Sequence, residues 1–134
     1  MVDRRTISSG SSYEQTVGFS RAVRPDRRGA GHVHHGAHRC ADPDGRVDPD
    51  PLVQARRCWQ IALAALAEAG ADATSVVRTR TYLTDRAYEQ AASLAHGELF
   101  ATVRPASTML VVAGLLDPRW LLEVELDAYV DPED

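Results

Sequence analysis

Apolar and polar positions alternate most regularly near the end of the chain. Trp120, Leu122, Val124, Leu126, Ala128 and Val130 fall on one side of an extended segment, and Leu121, Glu123, Glu125, Asp127 and Tyr129 on the other. A period of two is that of a half-buried strand, here with one oily and one acidic face. The stretch before it, from Arg104, predicts another strand joined to it by a turn.

The helical period takes over further upstream. Asp50-Pro51 supplies an N-cap and a proline suited to the first helical position. Ala55, Cys58, Trp59, Ala62, Leu66 and Ala69 then form one apolar stripe, and Gly70 is the expected stop. Residues 75–84, SVVRTRTYLT, are β-branched and predict a strand with Val77, Thr79, Thr81 and Leu83 on one face. Thr84 or Asp85 caps a second helix over about 86–100, whose stripe is Tyr88, Ala91, Ala92, Ala95 and Leu99; Pro105 excludes its continuation. Near the N-terminus, residues 4–9 and about 15–23 predict two short strands. The order is β-β-(β)-α-β-α-β-β, an α+β two-layer sandwich with two helices on one face of a mixed sheet. The other face carries Glu123, Glu125, Arg78 and Arg80, and packing against copies of the same chain is the expected way to cover it.

Composition narrows the function classes. The 134 residues make one domain spanning 1–134, with 44% hydrophobic and 25% charged residues. A net charge of −4 argues against a dedicated nucleic-acid binder. Arg21, Arg24, Arg27 and Arg28 lack the interleaved aromatic platform that would reverse that reading. No apolar run approaches the ~18 residues of a membrane span, and the N-terminus shows no apolar signal segment. Two cysteines, Cys40 and Cys58, suggest no disulfide framework, so a cytoplasmic location is expected.

Four ordered pieces together carry a family resemblance: DPLVQARRCWQIALAALAEAGA, SVVRTRTYLTD, HGELF and RPASTMLVVAGLLDPRWLLEVELDAYV. In this order they resemble the RidA family (YjgF/YER057c/UK114, older name endoribonuclease L-PSP) over about 50–131, and less closely over 6–23. The resemblance implies a chorismate-mutase-like fold and a homotrimer with a small-molecule cleft at each subunit interface. It further implies hydrolysis of 2-imino or enamine acids to 2-oxo acids and ammonia, with no metal and no organic cofactor. Glu123 matches the family carboxylate that positions water, and Tyr13 matches the tyrosine of its N-terminal loop. The family's carboxylate-clamping arginine follows a Pro-Ala pair. Here Pro105-Ala106 is followed by Ser107, with Arg104 ahead of the proline, so the chain resembles an arginine-lacking branch. Ser107 and Thr108 are the expected substrate-binding residues in its place; the bland reading is that they cap the strand start. The alternative to an imine deaminase is a non-catalytic trimer that binds a small metabolite. An RNA-directed activity ranks last.

Residues 24–50 break the pattern, and about 25–41 most of all. The run holds four of the five histidines and few apolar residues, and a structureless loop of that length is improbable in a compact domain. His32, His34, His35, His38 and Cys40 could ligate a transition metal, but with no second cluster to support them no metal site is assigned. Read one base later, codons for this run can encode Val-Thr-(Phe/Ser/Cys)-Thr-Thr, close to the strand the family places here. A frame-shifted stretch, and with it a damaged sheet, is therefore the expectation.

Overall fold

The computed structural model describes residues 4–8, 15, 22–25, 32–38 and 44–129. Its elements run β1 (Arg4–Ile7), β2 (Ala22–Pro25), β3 (His32–His38), α1 (Pro51–Glu68), β4 (Val76–Leu83), α2 (Glu89–Phe100), β5 (Ala106–Val111) and β6 (Leu122–Tyr129). Short 3-10 turns, Ala73–Ser75 and Arg86–Tyr88, precede β4 and α2. The strands form one six-stranded sheet in the order β1-β2-β3-β6-β4-β5. Only β4 and β5 run parallel; the other neighbours are antiparallel. The expected α+β architecture, a mixed sheet with two helices, is therefore present.

The helices begin and end where their chemistry requires. Asp50 accepts hydrogen bonds from the backbone N–H groups of Leu52 at 2.8 Å and Val53 at 3.2 Å, which caps α1 ahead of Pro51. At the other end Gly70 takes φ 84°, and the Ala71 N–H reaches back to the Leu66 carbonyl. Glycine enters that left-handed conformation without a Cβ clash. Arg104 does the same work after α2 at φ 56°, donating to the Phe100 carbonyl at 2.8 Å.

The core lies between the helices and one sheet face. Ala55, Cys58, Trp59, Ala62, Leu66 and Ala69 are all buried, as the stripe predicts. They meet Leu122, Val124, Leu126 and Ala128 from β6, whose burial alternates along the whole strand. Trp120 is buried as well. On α2 the buried residues are Ala92, Ala95 and Phe100, while Tyr88, Ala91 and Leu99 are only partly covered.

Four expectations change. β5 and β6 are not a hairpin: β4 lies between them, and residues 112–121 carry the chain across. In β4, Val77 is 45% exposed and Val76 takes the buried place, because the ladder to β6 has a bulge between Val76 and Arg78. Cys58 is disulfide-bonded, against the expectation of two unlinked cysteines; the other half of that bond lies outside the described residues. The damaged sheet expected at the histidine-rich run is not found: the His32–His38 backbone pairs with β2 on one side and β6 on the other, with a register shift between His35 and His38. Backbone pairing needs no apolar side chains, so the sheet stays continuous through this strand.

Candidate functional site

The sheet face away from the helices is polar. Cross-strand pairing aligns Arg78 with Asp127, Arg80 with Glu125 and Tyr82 with Glu123. On the other side of β4, Thr108 lies beside Arg80 and Leu110 beside Tyr82. Tyr82 Oη donates to Glu125 Oε1 at 2.6 Å, and Arg80 Nη1 donates to the same oxygen at 3.2 Å. Arg80 also lies 3.7 Å from Asp127 Oδ2. Side-chain exposure is only 29% for Arg80, 18% for Glu125 and 16% for Asp127, so these charges are half shielded on the uncovered face. The hydrogen bond to the Glu125 carboxylate, aided by burial, pushes the Tyr82 phenol above its ordinary pKa.

A second polar cluster lies on the helix side of β4. Thr79 is fully buried, and its Oγ1 donates to Ser107 Oγ at 3.0 Å. The same Oγ1 is 2.8 Å from Nε2 of His96 on α2. The His96 ring is wedged against Phe100 at 4.8 Å and Trp59 at 5.7 Å between centroids. Burial lowers its pKa, which favours the neutral imidazole.

The start of β6 is pinned from α1. Gln54 is 1% exposed and makes three hydrogen bonds: Nε2 donates to the carbonyls of Asp48 at 2.7 Å and Arg119 at 3.0 Å, and Oε1 accepts from the Leu121 N–H at 2.9 Å. Next to it, the Asp117 carboxylate accepts from the Arg119 guanidinium and backbone N–H. Those bonds hold Asp117 down to about 2. The stabilisation is therefore present above the ordinary carboxylate range and is lost as pH falls toward that value.

Residues 11–130 match the family profile described as Endoribonuclease L-PSP. An uncharacterized protein of Streptomyces coelicolor is 38% identical over 125 residues, covering 93% of this chain and 91% of that one. Among solved structures, a Mycobacterium tuberculosis protein described as a member of the highly conserved YjgF/YER057c/UK114 family superposes with a TM-score of 0.84 at 35% identity, covering 96% of this chain and 100% of that one. The chain belongs to the RidA family. A Rid-family protein of unknown function from Yersinia pestis shares the fold, with a TM-score of 0.81 at 21% identity over 96% of this chain and 100% of that one.

Within this RidA-family subunit the predicted site residues fall in different places. Glu123 and Thr108 belong to the polar face. Ser107, bonded to buried Thr79, points to the opposite side of β5. Two strand spacings and three residues separate Ser107 from Glu123, roughly 14 Å between Cα atoms. Tyr13 lies outside the described residues, as do the side chains of the β3 histidines. Among the described residues, no group of three or more His, Cys, Asp or Glu side chains could hold a metal ion. Among the same residues, no helix is long and apolar enough to cross a membrane. The sequence reading did not find Gln54, Thr79 or His96. Period counting treats a buried polar residue as an interruption, and the only available signal was that Gln54 and Thr79 sit at core-facing positions.

Proposed function

We propose that this RidA-family protein is a homotrimeric hydrolase that converts 2-imino or enamine acids, such as 2-iminobutanoate and 2-iminopropanoate, to 2-oxo acids and ammonia. We read its subunit as the chorismate-mutase-like sandwich. The observation that carries the reading is the half-shielded charged face of the sheet, with Glu123 in the row beside the Tyr82–Glu125–Arg80 network. Glu125 anchors that network, and the water-positioning role is given to Glu123 because it matches the family carboxylate. Glu123 takes a proton from water as its oxygen adds to the C=N carbon and returns that proton to the nitrogen, giving a carbinolamine; the carbinolamine hydroxyl proton then passes to the nitrogen as the C–N bond breaks, leaving the 2-oxo acid and ammonia. Tyr13, Ser107 and Thr108 hold the substrate. Because Ser107 and Glu123 lie on opposite faces of one subunit, a cleft between subunits is the arrangement that would unite them.

Ammonia release from freshly generated 2-iminobutanoate tests this. Wild type should exceed the buffer rate, and Glu123→Gln should lose about 10²–10⁴-fold. No acceleration by wild type, with an active family member as control, would sink the enzyme. The alternative is then a non-catalytic trimer that binds a small metabolite, which the serine at position 107 favours, since a hydroxyl holds a carboxylate less firmly than a guanidinium does.

The trimer has its own test. Arg78 is exposed and lies opposite Asp127. Arg78→Glu would add a carboxylate to a face that already carries Glu123, Glu125 and Asp127, and like charges brought together on association repel. The variant should elute as a monomer by light-scattering chromatography; an unchanged trimer would remove this face from the interface.

A further inference from the structure

We propose that His96 is a positioning residue for ligand binding at Ser107, acting through Thr79 so that the Ser107 hydroxyl proton is presented outward to an oxygen acceptor. This rests on the hydrolase reading and deepens it by naming what stands behind Ser107. In this arrangement the single proton of the Thr79 hydroxyl goes to Ser107 Oγ, 3.0 Å away. The 2.8 Å contact with His96 must then use a lone pair of Thr79 and a proton on Nε2. Every donor in the chain points the same way, from the helix toward the sheet edge. Ser107 accepts from behind, so its own proton is left for a group beyond β5. Bonds aligned head to tail polarise one another, which makes the last hydroxyl a better donor than an isolated serine.

The surroundings suit such a relay. Thr79 is fully buried, so no water competes for its hydroxyl. Trp59 from α1 and Phe100 from α2 hold the imidazole in its plane. The charged pair on those helices, Arg56 and Glu98, is engaged with itself, Nε donating to Oε2 at 3.1 Å. Burial is the sole cause of the His96 shift and favours the neutral ring, which has one N–H to give. Ser107 itself is exposed, and β5 is the last strand of the sheet. The ligand class is a small molecule with a carboxylate or carbonyl oxygen, as the substrate and product of the proposed reaction both have.

The experiment uses the full chain and pyruvate as probe. Nitrogen-15 NMR of the His96 ring should show the Nε2–H tautomer. Thr79→Val and His96→Leu each cut the relay, at its middle and at its helix end. Both should weaken pyruvate binding about tenfold, the value of one strengthened hydrogen bond. Thr79→Ser and His96→Gln keep a hydroxyl and an Nε donor in place and should restore it, which a purely structural role does not require. Should Thr79→Val fail to fold, His96→Leu carries the same test. An Nδ1–H tautomer in wild type, or pyruvate affinity unchanged in both cutting variants, overturns the relay. Ammonia release that survives such a result leaves the hydrolase reading standing. A wild type that neither binds pyruvate nor releases ammonia removes both.

Discussion

Trp59→Ala is expected to lower the unfolding free energy by about 3–5 kcal/mol, the usual cost of emptying a large buried aromatic site. Trp59 is 1% exposed and packs edge-to-face on Phe100, with centroids 5.1 Å apart and planes at 78°. It also forms one wall of the His96 site. The loss therefore combines buried apolar area, two aromatic contacts and a cavity that α1 and β6 cannot collapse to fill. Against a typical total of about 5–15 kcal/mol, the variant would be partly unfolded in mild denaturant. Urea titration gives the value directly. A loss under about 1 kcal/mol would mean that the helix layer repacks freely, contrary to the geometry.

Gln54→Leu should cost about 2–4 kcal/mol although it replaces a polar side chain by an apolar one of similar size in the core. The reason is the three partners left behind. The Asp48 and Arg119 carbonyls and the Leu121 N–H would each lose a bond at a part-buried position, and a buried group left unsatisfied costs about 1–3 kcal/mol. The damage should be local to Leu121, at the entry to β6 and two residues before Glu123. Amide exchange at Leu121 should accelerate more than exchange at Leu126. Equal protection of Leu121 in both proteins would show that Gln54 does not pin this segment.

Much of the fold could be read from periodicity because most elements have one wet and one dry face. Both helices, the Asp50 cap of α1 and the alternation of β6 follow from that rule; the cap expected for α2 does not, since Asp85 caps the 3-10 turn Arg86–Tyr88 and the N-cap of α2, Tyr88, makes no side-chain cap bond. Strand order did not follow, because the pattern of β5 and β6 fits a hairpin as well as it fits two strands flanking β4. The pattern also hid β3, whose histidines carry no alternation; its place is set by backbone pairing with Ala22, Val23 and the β6 residues. For the site, Glu123, Thr108 and Ser107 could be named from sequence, but their relative placement could not. Neighbours on a strand point to opposite faces, so Ser107 and Thr108 of one subunit cannot act side by side, and only a cleft between subunits would bring both kinds of residue to one substrate. The residues that hold the site, Gln54, Thr79 and His96, are polar groups at core-facing or half-buried positions, where sequence periodicity expects only apolar ones.

The bulge at the start of β4 bears on how the chain can change length. In a regular strand, removing one residue turns everything on one side of the cut over to the wrong face. Val77 is different. Val76 and Thr79 both face the core, with Val77 and Arg78 together on the outside. Without Val77 the order in, out, in is restored for Val76, Arg78 and Thr79. The position is therefore one where a single-residue deletion leaves both the helix-side relay and the charged face in phase. Among related chains, gaps inside β4 should collect at Val77 and Arg78, whereas a gap within Thr79 to Tyr82 would set the two faces against each other.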